Sequence, residues 1–461
     1  MKVNDLNDTI AAIATPSGEG GIGIIRISGP DALSTALKIF QPKNRTNKIE
    51  SHRLYYGEIT DPRDLSLVDE SLLSFMKSPS SFTMEDVVEL NCHGGSIVLQ
   101  QVMELLLREG LREAEPGEFS KRAFLNGRID LTQAEAVIDL IRAKTERGLK
   151  LANRQLKGGL KEALQEIREG LIQILSVLEA YIDFPEEEID ADSLHEINEK
   201  LDRSKNGLMT ILNTYEEGKV YREGIHVVIA GRPNVGKSSL LNRLLKEKRA
   251  IVTSIPGTTR DMIEEVINIK GIPVNLIDTA GIRETTDVIE SEGIKRTKNK
   301  LKDADLILYM IDDKGIKSTD KVIVEETGEQ KVLIVINKED QLSTEIKKKA
   351  IKEMKSLPHV FISTKQNRGV EQLKDRIYET VMTHGVDSIP TVVISRKRHK
   401  IGVEKAIKSI ERAQICVKDS LPYELISSDL RDALFNISEV AGETTTEEVM
   451  DRIFSEFCIG K

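Results

Sequence analysis

The stretch His226-Val227-Val228-Ile229-Ala230-Gly231-Arg232-Pro233-Asn234-Val235-Gly236-Lys237-Ser238-Ser239-Leu240 constrains the chain more than any other. An apolar run feeds a turn of the form G-x-x-x-x-G-K-S, and Leu240, Leu241, Leu244 and Leu245 continue on one helical face. Strand, phosphate loop and helix in that order require a parallel α/β sheet with its ligand at the strand C-termini. Backbone N–H groups of the turn converge on phosphate oxygens, and the helix N-terminus adds partial positive charge. Lys237 is placed to reach the β- and γ-phosphates and Ser238 to offer its hydroxyl to Mg²⁺. Three more motifs each close an apolar run. Asp278-Thr279-Ala280-Gly281 follows Val274 to Ile277, its carboxylate toward the Mg²⁺ water shell and its glycine toward a γ-phosphate. Asn337-Lys338-Glu339-Asp340 follows Val332 to Ile336. A carboxylate at Asp340 accepts from guanine N1–H and the 2-amino group, a pair that adenine does not offer. Ser363-Thr364-Lys365 follows His359 to Ile362 and closes over the base. Four such motifs in this order imply a GTP-binding domain.

At 461 residues, and with roughly 100–200 residues per domain, the chain has room for about three domains. Its net charge of −9 means that any nucleic-acid contact must come from a local basic cluster. The three cysteines, Cys92, Cys416 and Cys458, are far apart and form neither a metal-spacing cluster nor a disulfide framework. With no leader pattern and no run of membrane-spanning length, the expectation is a cytoplasmic protein without a membrane span.

Residues 1–118 alternate β-like runs with turns: Thr9 to Ala14, Ile22 to Ile27, Leu54 to Ile59 and Val87 to Leu90. Gly18, Gly20 and Gly23 match G-x-G-x-x-G, but the strand-like Ile24-Ile25-Arg26-Ile27-Ser28 follows where a dinucleotide fold needs a helix. A glycine-rich hairpin is expected instead. Cys92 and His93, neighbours on a strand, should point to opposite faces. Over 119–222 the period becomes helical, and Leu156, Leu160, Leu164, Ile167, Leu171, Ile174 and Leu178 trace one long stripe up to Asp183-Phe184-Pro185. Glu186-Glu187-Glu188 reads as a solvated acidic turn. A second helix spans Leu194 to Thr214, and Lys219 to Gly224 reads as a linker. The GTP-binding domain covers 223–382, and helical periodicity resumes over 383–461. The expected fold class is therefore multidomain: a β-rich α+β N-terminal domain, a central helical bundle, and a Ras-like P-loop α/β domain inserted into that bundle. The basic run Arg396-Lys397-Arg398-His399-Lys400 is expected to be a solvated helix start, with an RNA phosphate contact as the alternative.

The hydrolytic site lacks the glutamine that small regulatory GTPases carry directly after D-T-A-G; Ile282 stands there. Glu284, Asp287, Glu290 and Glu292 are then candidates to handle the water. Arg232 and Arg260 are weak candidates for an arginine finger. The amide of Asn234 can help hold a monovalent cation near the β–γ bridging oxygen, or make a local turn hydrogen bond. Thr258-Thr259-Arg260-Asp261 has the form of a switch I segment.

Several further motifs run the length of the chain: Gly20-Gly21-Ile22-Gly23-Ile24-Ile25-Arg26-Ile27-Ser28-Gly29, Ser81-Phe82-Thr83 with Glu85-Asp86, and Pro116-Gly117-Glu118-Phe119-Ser120. Arg122-Ala123-Phe124-Leu125-Asn126, Asp183-Phe184-Pro185, Gly257-Thr258-Thr259-Arg260-Asp261 and Phe457-Cys458-Ile459-Gly460-Lys461 complete the set. With them the chain resembles the MnmE (TrmE) family of bacterial tRNA-modification GTPases, in the TrmE-Era-EngA-YihA-Septin-like branch of the P-loop GTPases. The resemblance implies a homodimer formed through an N-terminal domain that binds a tetrahydrofolate one-carbon donor, in its 5,10-methylene or 5-formyl form. It implies a heterotetramer with the flavoprotein MnmG (GidA), which carries FAD. Together they add an aminomethyl or carboxymethylaminomethyl group to C5 of the wobble uridine, position 34, of certain tRNAs. K⁺ and Mg²⁺ support GTP hydrolysis, which drives pairing of the GTP-binding domains.

Carried onto this sequence, the resemblance gives the folate contacts to Arg26, Glu89, Arg128 and Lys461, with Arg128 where relatives have lysine. Asn234, Thr253, Ile255 and Thr258 take K⁺; Ser238 and Thr259 take Mg²⁺. The GTP contacts are Asn234, Val235, Gly236, Lys237, Ser238 and Ser239, then Thr253-Ser254-Ile255-Pro256-Gly257-Thr258-Thr259. Asp278, Thr279, Ala280, Gly281, Asn337, Lys338, Asp340, Ser363, Thr364 and Lys365 complete them. Of the four carboxylates, Glu290 is the one matched to orienting the water, and Cys458 matches a cysteine needed for modification. The alternative function is a GTP-dependent RNA- or ribosome-associated switch with no modification chemistry of its own. Against it, no second set of GTP-binding motifs appears, and no KH-type G-x-x-G element follows the first.

Overall fold

The structure is a computed structural model that describes residues 8–44, 48–184, 191–247, 265–278, 304–312, 332–345, 347, 351, 357–382 and 390–461. The N-terminal part runs β1 (Ile10–Ile13), β2 (Gly20–Ser28), α1 (Ala32–Ile39), β3 (Phe40–Pro42), β4 (Leu54–Thr60), β5 (Leu67–Met76), β6 (Val87–Gly94), α2 (Ser96–Arg108) and β7 (Arg112–Glu113). Its strands form one seven-stranded sheet in the order β3-β4-β5-β6-β2-β1-β7. Alternation decides the faces. Ile25, Ile27, Leu73, Phe75, Leu90 and Cys92 turn toward Ala36, Ile39, Leu99 and Leu106 of the two helices and form the core. The intervening residues, Arg26, Leu72, Ser74, Glu89 and Asn91, occupy the opposite face, and Leu72 and Tyr56 are exposed there. The glycine-rich segment is the expected antiparallel strand, β2 against β1. Cys92 is buried while His93 turns outward, its backbone N–H and Nδ1 both held by Asp69.

The helices are α3 (Glu118–Leu125), α4 (Leu131–Arg142), α5 (Glu146–Leu156), α6 (Gly159–Asp183), α7 (Ala191–Asn213) and α8 (Tyr215–Glu223). Asp130 opens α4 with a capping box closed by Gln133, which satisfies two donors at that end. The stripe from Leu156 to Leu178 is two helices rather than one. Gly158, at φ +89, takes the left-handed conformation and separates α5 from α6. The stretch Lys219 to Gly224 is also not a linker, because α8 continues to Glu223 with Tyr215, Gly218 and Tyr221 buried on one face.

A six-stranded sheet follows in the order β13-β12-β11-β8-β10-β9, built from β8 (Ile225–Gly231), β9 (Glu265–Ile269), β10 (Ile272–Asp278), β11 (Leu306–Ile311), β12 (Val332–Ile336) and β13 (His359–Phe361). All its pairings are parallel except β9 with β10. β11 and β12 are buried along their whole length, as parallel strands covered on both faces should be. α9 (Lys237–Glu247) and α10 (Val370–Val381) belong to this part. The chain then returns through α11 (Lys397–Lys418), α12 (Tyr423–Ala441) and α13 (Glu447–Ser455).

One apolar core joins Leu160, Leu164, Leu171, Ile174, Leu178, Leu201 and Leu208 to Val403, Ile410, Leu430 and Ile437. The two helical portions therefore fold as a single bundle, and the α/β sheet is an insertion into it. Leu151, Tyr221 and Val393 of the helical portions lie in the α/β core itself. Ile394 N–H donates to Thr214 Oγ1 at 3.1 Å, just before α8, so the chain re-enters the bundle beside the helix from which it leaves. Among the described residues no helix is long and apolar enough to cross a membrane.

Most of the basic run is not solvated, although Lys397 is exposed. Arg396 donates to Asp139 at 2.6 Å, and Arg398 to Glu135 at 3.0 Å and to the carbonyls of Glu439 and Val440 at 2.8 and 3.1 Å. Burial pushes the His399 imidazole below its usual range, and its Nε2 meets Glu135 at 2.7 Å. Burial opposes ionisation of Glu135, but His399, Arg398 and Arg396 overcome it and hold the carboxyl far below its ordinary 4.5. Its stabilising contribution is thus complete above the unfolded carboxylate pKa and is lost only as pH falls toward the depressed folded value. Glu135→Gln takes the carboxylate away from Arg398 and leaves Arg396 with Asp139, and should cost about 3–5 kcal/mol, read as a lower denaturant midpoint for the helical bundle at pH 7.

Candidate nucleotide site and the tail that docks on the sheet

Three adjacent parallel strands, β8, β11 and β12, end in line, and the residues just beyond them build the site. After β8 the chain turns through Asn234, at φ 63, and Gly236, at φ +102. A Cβ at position 236 would collide with the Asn337 amide, so the loop needs glycine there both for φ and for space. Leu240 N–H bonds to the Gly236 carbonyl at 2.9 Å and starts α9, which places Ser238 and Ser239, both exposed, on its first turn. Lys237 Nζ donates to the carbonyls of Gly231 and Arg232, both at 2.8 Å, inside the curve of the loop.

Asn337 joins this loop to the base side. It is 2% exposed, and its Nδ2 donates to the Val235 carbonyl at 2.8 Å. Its Oδ1 accepts from the Thr364 N–H at 3.2 Å and hydroxyl at 3.3 Å. Lys338 follows in the left-handed region, at φ 60. Asp340 is exposed, and Ser363 Oγ donates to its Oδ1 at 2.6 Å. The Ser363 hydroxyl holds the Asp340 carboxyl below its usual range, which keeps it an ionised acceptor. Arg243 of α9 reaches the Thr364 carbonyl at 3.4 Å and ties the base loop to the phosphate helix. Arg243 carries no motif and is invisible in the sequence. Asp278 ends β10. Thr253, Ser254, Ile255, Pro256, Gly257, Thr258, Thr259, Thr279, Ala280, Gly281 and Glu290 lie outside the described residues, as do Arg260, Glu284, Asp287 and Glu292.

A second constellation sits on the N-terminal sheet. Arg26 and Glu89 are cross-strand partners on the face away from α1 and α2, and Arg26 Nε donates to Glu89 at 2.9 Å. The C-terminus reaches this face: Arg26 Nη1 donates to the Gly460 carbonyl at 3.1 Å, and Gly117 N–H to the Cys458 carbonyl at 3.4 Å. Burial, then the Arg26 charge, pushes the Lys461 ammonium below its usual range. Cys458 is exposed. Arg128 is exposed on the turn after α3. The neighbouring motif residues are structural. Arg122, 0% exposed, bonds Asp8 at 2.5 Å, Glu118 at 2.9 Å and Glu85 at 3.3 Å. Ser28 donates to Glu85, and Asn126 to the Thr83 carbonyl, both at 2.7 Å.

The profile described as "MnmE helical domain" matches residues 131–458, and that described as "GTP-binding protein TrmE N-terminus" matches residues 9–128. The tRNA modification GTPase MnmE of Geotalea uraniireducens is 48% identical over 99% of this chain and 100% of its own length. The MnmE proteins of Carboxydothermus hydrogenoformans and Geobacter metallireducens are each 47% identical, over 99% of this chain and 100% of theirs. This chain belongs to the MnmE family. In this MnmE-family chain, the phosphate loop, Asn337 and Asp340 sit together at the C-terminal ends of the inserted sheet's strands, and the C-terminal tail folds back on Arg26 of the N-terminal sheet.

Asp340→Asn replaces an acceptor by an amide that donates, which suits the 2-oxo group of xanthine and not the 2-amino group of guanine. Fluorescent-nucleotide titrations should show GDP affinity falling by about a hundredfold or more while XDP gains.

Proposed function

We propose that this protein hydrolyses GTP as part of a tRNA wobble-uridine modification system. The full-length likeness to tRNA modification GTPases carries the reading, and the guanine-selective Asp340 beside an intact phosphate loop supports it. On this reading the (carboxymethyl)aminomethyl group is installed at C5 of uridine 34 together with a flavoprotein partner that brings FAD. Residues 1–118 bind the tetrahydrofolate one-carbon donor and dimerise, residues 119–222 and 383–461 form the bundle, and 223–382 bind GTP.

Three kinds of residue do the work. Lys237 and the N–H groups opening α9 hold the phosphates and offset charge that develops on them. Asp340 selects guanine, and Asn337 keeps base and phosphate loops at a fixed spacing. Glu290 orients the attacking water. Ser238, exposed on the first turn of α9, suits Mg²⁺ with Thr259. Asn234, exposed in the left-handed turn of the loop, suits K⁺ with Thr253, Ile255 and Thr258. When bound, these cations supply neutralising charge at the phosphates. For the one-carbon donor, Arg26 and Lys461 offer cations and Glu89 a carboxylate on the open sheet face, with Arg128 as the fourth contact and Cys458 at the adjoining tail. Exposed Tyr56 and Leu72 on that face are suited to a second copy of the chain.

Glu290→Ala should slow GTP turnover by about a hundredfold, and wild-type turnover should be faster in KCl than in NaCl at equal ionic strength. Equal rates in the two salts refute the K⁺ assignment, and unchanged turnover refutes Glu290. Arg26→Gln should weaken binding of 5-formyltetrahydrofolate in calorimetry by roughly tenfold, the loss of one charged hydrogen-bond donor. The whole reading is tested by nucleoside analysis of tRNA from cells lacking the protein, where the 5-substituent of the wobble uridine should be missing.

A further inference from the structure

Three parallel strands bring three charges into a row that no motif announces. Arg232 is the first residue after β8, Asp312 the first after β11, and Lys338 the second after β12. The strand order places β11 between the other two. Register finishes the alignment, with Met310 opposite Gly231, Ile311 opposite Ile336, and Asn337 N–H bonded to the Ile311 carbonyl at 2.9 Å. Asp312 is consequently held between a base from the phosphate loop and a base from the N-K-x-D loop. Its Oδ1 accepts from Arg232 Nη2 at 3.3 Å, and its Oδ2 faces Lys338 Nζ at 3.5 Å. Asp312 is 8% exposed, so its charge is little screened by water and its two partners are not interchangeable with solvent.

We propose that Asp312 is a positioning residue for the guanine nucleotide: one carboxylate, shared by Arg232 and Lys338, sets the lateral spacing between the phosphate loop and the guanine loop. Asn337 ties the same two loops through neutral hydrogen bonds to Val235 and Thr364. Asp312 ties them through charge, by way of Arg232 and Lys338. Without it, the charge link that runs from Arg232 to Lys338 through this carboxylate is lost, and the two loops are held less closely. The carboxylate itself does not touch the phosphates or the base, so its effect falls on how well the nucleotide is held more than on the chemical step.

The inference rests on the GTP-site reading, and the experiment separates the two. Fluorescent GDP is first titrated into the wild-type full-length protein; failure to bind overturns the GTP-site reading. Given wild-type binding, Asp312→Asn should raise the Kd for GDP about tenfold, chiefly through faster dissociation in stopped-flow displacement. In steady-state turnover, KM for GTP should rise at least five times more than kcat falls. A purely structural role would instead lower the melting temperature and the fraction of binding-competent protein while leaving the Kd of the remainder unchanged, and that result overturns the proposal. So does an unchanged or tighter Kd. Should Asp312→Asn not fold, the cycle of Arg232→Gln, Lys338→Met and the double variant reads the same link without altering Asp312. Since both cations lean on one carboxylate, the double variant's Kd should differ from the product of the single effects by threefold or more; a multiplicative result overturns the inference.

Discussion

One buried amide, that of Asn337, sets the geometry of the nucleotide end of the molecule. Both of its ends are used: the nitrogen against the Val235 carbonyl, the oxygen against Thr364. An amide can do this where a carboxylate or an amine cannot, because it donates and accepts across about 2 Å of one planar group. The phosphate loop cannot move away from the base loop without leaving one of these atoms unsatisfied in a buried place. Ser363, one residue before Thr364, holds Asp340 ionised and aimed. Loop spacing is therefore a consequence of one side chain's hydrogen bonding, and the strand order makes it possible by ending β8, β11 and β12 side by side.

The opposite end of the molecule is organised by ions rather than amides. Arg122 is fully enclosed, yet meets Asp8, Glu85 and Glu118, so the first strand, the 81–86 loop and α3 are locked to a common point. On that base the C-terminal tail finds a fixed surface. The Gly460 carbonyl is received by Arg26, whose guanidinium also rests over the Phe119 ring at 5.7 Å. The motif residues around Arg122 therefore act through stability, and those around Arg26 receive the C-terminal tail.

How much of this could be read from sequence depends on where each partner lies along the chain. The phosphate loop, the N-K-x-D motif and the serine–threonine pair were legible because each is a local pattern at the end of an apolar run, and β8, β12 and β13 do end there. The insertion was legible from two stretches of helical period flanking one α/β stretch. Lys219 to Gly224 was misread because glycines at 218 and 224 resemble a linker. Gly218 instead lets α8 press on the Ile394 carbonyl, which a Cβ would strike. The run Arg396 to Lys400 was misread because its acids, Glu135 and Asp139, sit on α4, far away in sequence. Asp312 and Arg243 carry no motif, and their roles exist only once strands and helix are side by side.

The bundle's shared core has a temporal side. Its first half, from Leu160 to Tyr215, leaves the ribosome well before its second half, which begins at Ile394. At about 5–20 residues per second, roughly ten to forty seconds pass while the inserted sheet is being made, and during that time the apolar stripes of α6 and α7 have only each other to cover them. The inserted sheet must also close on itself before its two ends meet at Val393. An insertion of this kind makes the oldest helices of a nascent chain wait for the youngest, and it exposes the half-made bundle to chaperones and to premature pairing with other copies.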